Sequence, residues 1–324
     1  MQRLLQPYAA ELAEFWPGEI RWDHPLAAYT TLGVGGAVEA LLTPAGEKEL
    51  TVLLPWLAAR HIPWRVIGRG SNILVPDRGL TGVAIILGRD FEQVAALPLP
   101  NGDAGGPAPA VRAGAACSLA RLVGFCTEAG LSGLEFLTGI PGTVGGAVVM
   151  NAGAHGREIR GPLLEITVID DRGEMRRHPA RDLPFGYRAW GGHPSWVVTG
   201  ATFALVREDR PVIESRCRAL HQQRQATQPL QAASAGSFFK NPPGEAAGRL
   251  IEVAGLKGLR RGGAMVSEKH ANFIVNTGRA TAADILALMR EVQERVLAAT
   301  GIRLEPEVRI LDDHHHLNRQ ETKG

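Results

Sequence analysis

Cysteine is nearly absent, with three in 324 residues. Cys117, Cys126 and Cys217 have neither metal-ligand nor redox spacing, and an odd count argues against a disulfide framework. A reduced, cytoplasmic protein is expected. No apolar run approaches the length of a membrane helix. The start, Met1 to Phe15, carries Arg3, Pro7, Glu11 and Glu14, which is unlike a signal peptide. Membrane partners are therefore not expected. Net charge is only +2 and the basic residues are scattered, so nucleic acid is not an expected partner either. Lysine is scarce: five of 35 basic residues, three of them Lys240, Lys257 and Lys269. Either that segment needs compact ammonium groups rather than guanidinium forks, or the grouping is chance. His314, His315 and His316 stand in a polar tail and read as solvated, so no metal is expected.

Glycine is what the chain has in quantity, 39 residues. Six lie among the eighteen residues Gly139 to Gly156, where no other residue carries a full charge. Glycine costs folding entropy, so such density serves positive φ or close approach of another molecule to the backbone. Ala147 to Met150 adds an apolar run there, a buried strand or helical turn. Bare backbone bracketing a buried element suits a large, flat ligand with an anionic part; an ordinary loop pair fits as well. Earlier, Trp64 to Ile67 reads as a strand feeding Gly68-Arg69-Gly70-Ser71-Asn72-Ile73-Leu74-Val75. That turn can present successive N–H groups as an anion nest. Its spacing is neither the dinucleotide fingerprint nor the triphosphate loop, and a plain turn is the other reading.

Length predicts two or three domains. Glu19 to Ala40 reads as a polar lead-in. Helices are expected over Glu47 to Arg60, kinked or divided by Pro55, and over Ser118 to Ala129. Strands are expected at Val83 to Leu87, Val111 to Ala115, Leu163 to Asp170, Glu174 to His178 and Trp196 to Val206. Beyond Pro211 the expectations are helices to about Gln225, over Gly248 to Ala254 and over Thr281 to Ala299. Strands there are expected at Ala271 to Asn276 and, broken by Pro306, at Arg303 to Ile310. No internal repeat is present.

Six blocks, in order, resemble the UDP-N-acetylenolpyruvoylglucosamine reductase family. They are Gly68 to Val75, Gly130 to Gly156, Gly186-Tyr187-Arg188, Ser234 to Pro242, Glu268 to Asn276, and Leu304 to Arg309. The interval from Arg188 to Ser237 is similar to the shorter, type II branch. The resemblance covers roughly residues 20 to 311, and six linked blocks are highly specific. It implies an α+β protein: a two-lobed FAD-binding domain of the vanillyl-alcohol-oxidase (PCMH) type, then a smaller α+β substrate-binding domain. The expected division is 1–19 lead-in, 20–88 first lobe, 89–208 second lobe, 211–311 substrate domain and 312–324 tail. The resemblance also implies noncovalent FAD, NADPH as reductant, a UDP-sugar substrate carrying an enolpyruvyl ether, and a monomer. It puts Gly68, Arg69, Gly70, Ser71, Asn72 and Ile73, with Gly139, Pro141, Gly142, Thr143, Gly145, Gly146, Asn151 and Gly153, around FAD. Arg188, Ser237 and Glu307 match catalytic positions, and Tyr187, Lys240 and Asn241 fall among substrate contacts.

These residue types suit the chemistry. An enol ether accepts hydride only if its carboxylate can take up negative charge. Arg188 offers a fork that fits a carboxylate bidentately. Glu307 can act beside that anion only when its own carboxyl holds or shares a proton. Ser237 is a weak acid, yet adequate toward an enolate carbon. Singly, each has a blander reading: a structural Arg after Gly-Tyr, a turn Ser before two Phe, a surface Glu after Pro. One rival is an oxidase of the same superfamily, many of which tether flavin through His or Cys; none stands between Gly68 and Val75. A second rival, a UDP-sugar binder, would need no proton donor.

Overall fold

The computed structural model describes residues 3–99 and 108–312. Three sheets organise it. The first has the order Ile20–Pro25, Ala37–Leu42, Leu80–Ile85, Trp64–Val66, antiparallel at the first pairing and parallel at the others. Helix Glu47–Ala59 crosses from its second strand to Trp64–Val66 and buries Leu50, Leu53, Leu54 and Leu57. The spacing of these leucines is what the sequence offered for a helix. Pro55 neither divides nor ends it. The carbonyl that Pro55 leaves without its helical donor, that of Thr51, lies where a Cβ on Gly173 would stand 2.4 Å away.

The polar lead-in turns out to hold two strands. Ile20–Pro25 is an exposed edge, where polar residues face water on both sides and no clean alternation survives. Ala37–Leu42 is buried, and Glu39 interrupts its apolar run. That carboxylate accepts from Leu5 N (2.6 Å), Gln6 N (3.2 Å) and Gly82 N (3.0 Å). It stitches the N-terminal segment to the sheet. Glu39→Ala should therefore destabilise the fold by about 3 kcal/mol, since buried N–H groups are left unpaired. Urea unfolding measures this, and a loss under about 0.5 kcal/mol would reject that role.

The second sheet is antiparallel throughout: Met175–Pro179, Leu163–Ile169, Val197–Ala204, Ala108–Gly114, Val94–Leu99. The strand Val94–Leu99 was not anticipated. It lies at the sheet edge, where Pro98 costs no interior ladder bond. Helix Leu119–Glu128, capped by Ser118, and the short helix Val144–Val149 share a core with this sheet, including Val111, Leu122, Val148, Ile166 and Phe203. Residues 100–107, and the tail beyond Asp312 with its histidines, lie outside the described residues.

The third sheet, Ala233–Ser234, Ile274–Asn276, Ala264–Val266, Arg260–Arg261, packs under helix Ala282–Thr300. That helix begins with a Thr281–Asp284 capping box and stops at Gly301 in the left-handed region (φ 73°). Helices Arg210–Thr227 and Ala247–Val253 fall close to their expected bounds. The expected strand Arg303 to Ile310 survives only at Arg309–Ile310, because Glu305 O accepts from Lys240 N and Glu307 N donates to Phe238 O instead. Arg309–Ile310 pairs in parallel with Ile73–Leu74, joining the end of the chain to the first glycine turn.

Candidate active site

Both glycine turns open on one cavity of about 1680 Å³, lined from the first two sheets and from loops of all three. The first turn follows strand Trp64–Val66. A Cβ on Gly70 (φ 62°) would stand 1.9 Å from Tyr29 O, so only glycine fits there. Ser71 Oγ donates to Pro141 O (2.6 Å) and locks the first turn to the second. A Cβ on Gly68 would meet Thr143 Oγ1 at 2.5 Å, so these turns touch directly. Thr143 caps helix Val144–Val149, accepting from Gly146 N (3.4 Å).

The two adjacent glycines of that helix differ. Gly145 is buried, and an added Cβ would stand 2.9 Å from Ala115 Cβ, so packing explains it. Gly146 is exposed to the cavity, and among the described residues its would-be Cβ meets nothing outside its own helix backbone and chain neighbours within 4 Å except Thr143 Oγ1, at 3.4 Å. Gly146→Val should leave the fold intact by circular dichroism and lower flavin occupancy at least tenfold, because the side chain enters ligand space. Full occupancy in a folded variant would show that no ligand approaches this backbone.

The far end of the first turn reaches the charged residues. Asn72 Nδ2 donates to Glu307 O (3.1 Å). Ser237 and Glu307 share one support. Phe238 O accepts from Glu307 N (2.8 Å), and Lys240 N donates to Glu305 O (2.9 Å). On the other side, buried Asn272 accepts from Phe238 N through its backbone carbonyl (2.8 Å) and from Phe239 N through its side chain (3.0 Å). Asn272 thereby holds the segment that carries Ser237, a role the sequence alone did not suggest.

Arg188 arrives from the second sheet's side. It has φ 57°, an unusual conformation for a non-glycine residue, and its guanidinium lies 5.0 Å from the Tyr187 ring centroid. Its Nε donates to Glu307 Oε1 at 2.8 Å, with the two side chains 19% and 14% exposed. Burial pushes the Glu307 carboxyl above its ordinary range, and the opposing pull of Arg188 does not cancel it. Ser237 lines the cavity and makes no hydrogen bond among the described residues, so its hydroxyl is available to a ligand.

Gly68, Arg69, Gly70, Ser71, Asn72, Ile73, Pro141, Gly142, Thr143, Gly145, Gly146 and Gly153 line the cavity, with Tyr187, Arg188, Ser237, Asn241 and Glu307. Three expected residues do not. Asn151 is fully buried and donates to Gly186 O (2.9 Å) and Glu158 Oε2 (3.0 Å), so it braces the Tyr187–Arg188 turn from behind. Gly139 lies beneath Arg224. Lys240 turns to Glu305 on the rim (3.4 Å). Asn241 also accepts from Ala247 N (3.0 Å) at the start of a helix. Trp64, Trp196, Arg224, Gln228 and Arg309 line the cavity without having been singled out. Of these only Arg309 carried a signal, its place in the block Leu304 to Arg309.

Residues 38–178 match the model of an FAD binding domain, and residues 228–311 that of the UDP-N-acetylenolpyruvoylglucosamine reductase C-terminal domain. The chain is 46% identical over 296 residues to UDP-N-acetylenolpyruvoylglucosamine reductase of Geobacter metallireducens, covering 91% of this chain and 95% of that protein. For the Heliobacterium modesticaldum protein of the same name, identity is 43%, with 91% and 92% covered. The crystal structure of UDP-N-acetylenolpyruvylglucosamine reductase from Thermus caldophilus superposes with a TM-score of 0.75 at 40% identity, covering 91% of this chain and 98% of that one.

Proposed function

The chain belongs to the UDP-N-acetylenolpyruvoylglucosamine reductase family, a family of FAD-binding oxidoreductases, and from that premise we propose a specific reaction. The enzyme uses NADPH to reduce the enolpyruvyl ether of UDP-N-acetylglucosamine-enolpyruvate to the lactyl ether of UDP-N-acetylmuramate, a peptidoglycan precursor. The observation that carries this reading is the meeting of Arg188, Glu307 and Ser237 on one cavity wall beside two glycine turns.

The cradle fits FAD, because Gly68 to Ser71 line the cavity, two of them without a side chain, and Gly146 leaves its side-chain direction open. FAD when bound supplies the electron relay between NADPH and the substrate. With no His or Cys between Gly68 and Val75, the first turn offers it no covalent anchor. Arg188 spends Nε on Glu307, which leaves its terminal nitrogens to bind the substrate carboxylate as a fork. The protonated Glu307 shares that carboxylate and takes part of the charge that builds on it. Ser237 Oγ then gives its proton to the carbon bearing the ether oxygen. Among the described residues no helix is long and apolar enough to cross a membrane; a cytoplasmic site of action is part of the proposal. The proposed division at 20–88, 89–208 and 211–311 is supported by the three sheets. A monomer completes the reading.

Because burial raises the Glu307 carboxyl and the neutral form is the working one, substrate reduction should slow as pH rises through its folded value. Glu307→Gln, neutral at every pH, should flatten that limb. An unchanged alkaline limb in Glu307→Gln would assign it to another group. The reaction itself is tested by NADPH oxidation with and without the enolpyruvyl substrate, the product being identified by a mass two hydrogens higher. Turnover without that substrate, or a product of unchanged mass, would reject it.

A further inference from the structure

Asn151 follows the helix Val144–Val149 and its cap residue Met150, with its own N–H donating to Val148 O (3.0 Å). Its φ is 41°, a left-handed conformation that asparagine adopts more readily than most residues with a side chain. The side chain is fully buried and engages both its donors and its acceptor. Nδ2 donates to Gly186 O (2.9 Å) and to Glu158 Oε2 (3.0 Å), while Oδ1 accepts from Arg160 N (3.3 Å). A carboxylate in its place could only accept, and would face two other acceptors.

What this amide holds is the turn that carries Arg188. Gly186 N donates to Ala189 O (2.9 Å) and Ala189 N donates to Gly186 O (3.2 Å), so the turn closes on itself. Buried Trp190 anchors the chain beyond it. Between them Arg188 sits at φ 57°, a conformation that persists only where its surroundings enforce it. Gly186 O therefore accepts twice, once from within the turn and once from Asn151. On its other side Asn151 continues the helix that carries Gly146, whose cap Thr143 lies against Gly68 of the first turn. A chain of contacts thus runs from both glycine turns through Asn151 to Arg188.

We propose that Asn151 is a positioning residue: by tying Gly186 to the glycine-rich helix, it sets where Arg188 stands relative to the flavin cradle. It thereby sets where a substrate carboxylate is held. The inference rests on the reading of Arg188 as the carboxylate-binding group. Asn151 does not itself line the cavity, so it acts only through that turn. A misplacement of about 1 Å between reacting groups can cost about 100-fold in rate.

Asn151→Asp keeps the shape but turns a carboxylate on two acceptors; Asn151→Gly keeps the left-handed backbone and removes the amide. Both are compared with Arg188→Lys as FAD-loaded proteins, by anaerobic stopped-flow absorbance of the flavin. Each Asn151 variant should keep its flavin and accept electrons from NADPH at nearly the wild-type rate. The enolpyruvyl half-reaction should slow about 100-fold. Two further readings separate positioning from general support of the fold. The cations that pull the Glu307 carboxyl down against burial are Arg188 and Lys240, so a displaced Arg188 lets that carboxyl rise. The alkaline limb of the enolpyruvyl half-reaction should then move to higher pH in Asn151→Gly, which adds no charge. The double variant Asn151→Gly/Arg188→Lys should be about as slow as the slower single variant, because both losses act on one group. Penalties that multiply, an unmoved alkaline limb, or a wild-type enolpyruvyl half-reaction in both Asn151 variants would overturn the proposal. So would loss of flavin, or equal slowing of both halves, in both of them. A wild-type enolpyruvyl half-reaction in Arg188→Lys would instead contradict the role of Arg188 itself.

Discussion

Ser237→Ala should leave reduction of the bound flavin by NADPH almost unchanged and slow reduction of the enolpyruvyl group by about two to four orders of magnitude, the usual worth of a placed acid. The first half needs no proton on a substrate carbon; the second does. The Ser237 hydroxyl has no partner among the described residues to lose, while backbone bonds from Asn272 and Glu307 to Phe238 hold the segment. Removing one oxygen should therefore barely disturb the backbone. A purely structural serine predicts a different pattern, a loss of about 1 kcal/mol in stability and both halves affected alike. Anaerobic stopped-flow absorbance of the flavin follows each half separately. Equal slowing of both halves, or of neither, would remove Ser237 as the donor.

The second large effect is expected for Arg188→Lys. An ammonium is one point charge; it cannot bind Glu307 side-on and a substrate carboxylate end-on at the same time. In the native site Nε alone occupies Glu307 Oε1 at 2.8 Å. The substitution should slow the enolpyruvyl half-reaction about 10²–10³-fold, the usual loss for one preorganised donor to developing charge. It also weakens the partner that opposes burial at Glu307, so the carboxyl should rise further. Reduction by NADPH should be little changed. Turnover near wild type in the second half-reaction would take Arg188 out of the catalytic group.

The two glycine turns were legible in the sequence because each concentrates glycine beside Ser, Thr or Asn, and backbone approach leaves that trace. That they touch was not legible: the contact of Gly68 with Thr143 and the Ser71–Pro141 bond join residues about seventy positions apart. Arg188 and Glu307 are separated by 119 positions, and no local pattern connects them. Their candidacy came from the family blocks, not from spacing. Asn151 shows the cost of reading by block, since it stands in the flavin stretch yet its side chain is consumed by Gly186 and Glu158. The helix Val144–Val149 contains two glycines, against propensity, because one must pack on Ala115 and the other faces the cavity. The edge strand Ile20–Pro25 escaped notice for another reason. Its register comes from pairing with Ala37–Leu42 rather than from any buried face of its own.

The proposed passage of reducing equivalents from NADPH through FAD to an enolpyruvyl ether takes place in one cavity lined by Arg188, Glu307 and Ser237. Its most direct test is an anaerobic titration of the purified yellow protein. One equivalent of NADPH should bleach the flavin, and one equivalent of UDP-N-acetylglucosamine-enolpyruvate should then restore the full yellow colour with stoichiometric UDP-N-acetylmuramate. UDP-N-acetylglucosamine, which lacks the enolpyruvyl group, should restore none. Flavin that stays bleached when the enolpyruvyl substrate is added, or that recovers equally with the plain UDP-sugar, would contradict the account.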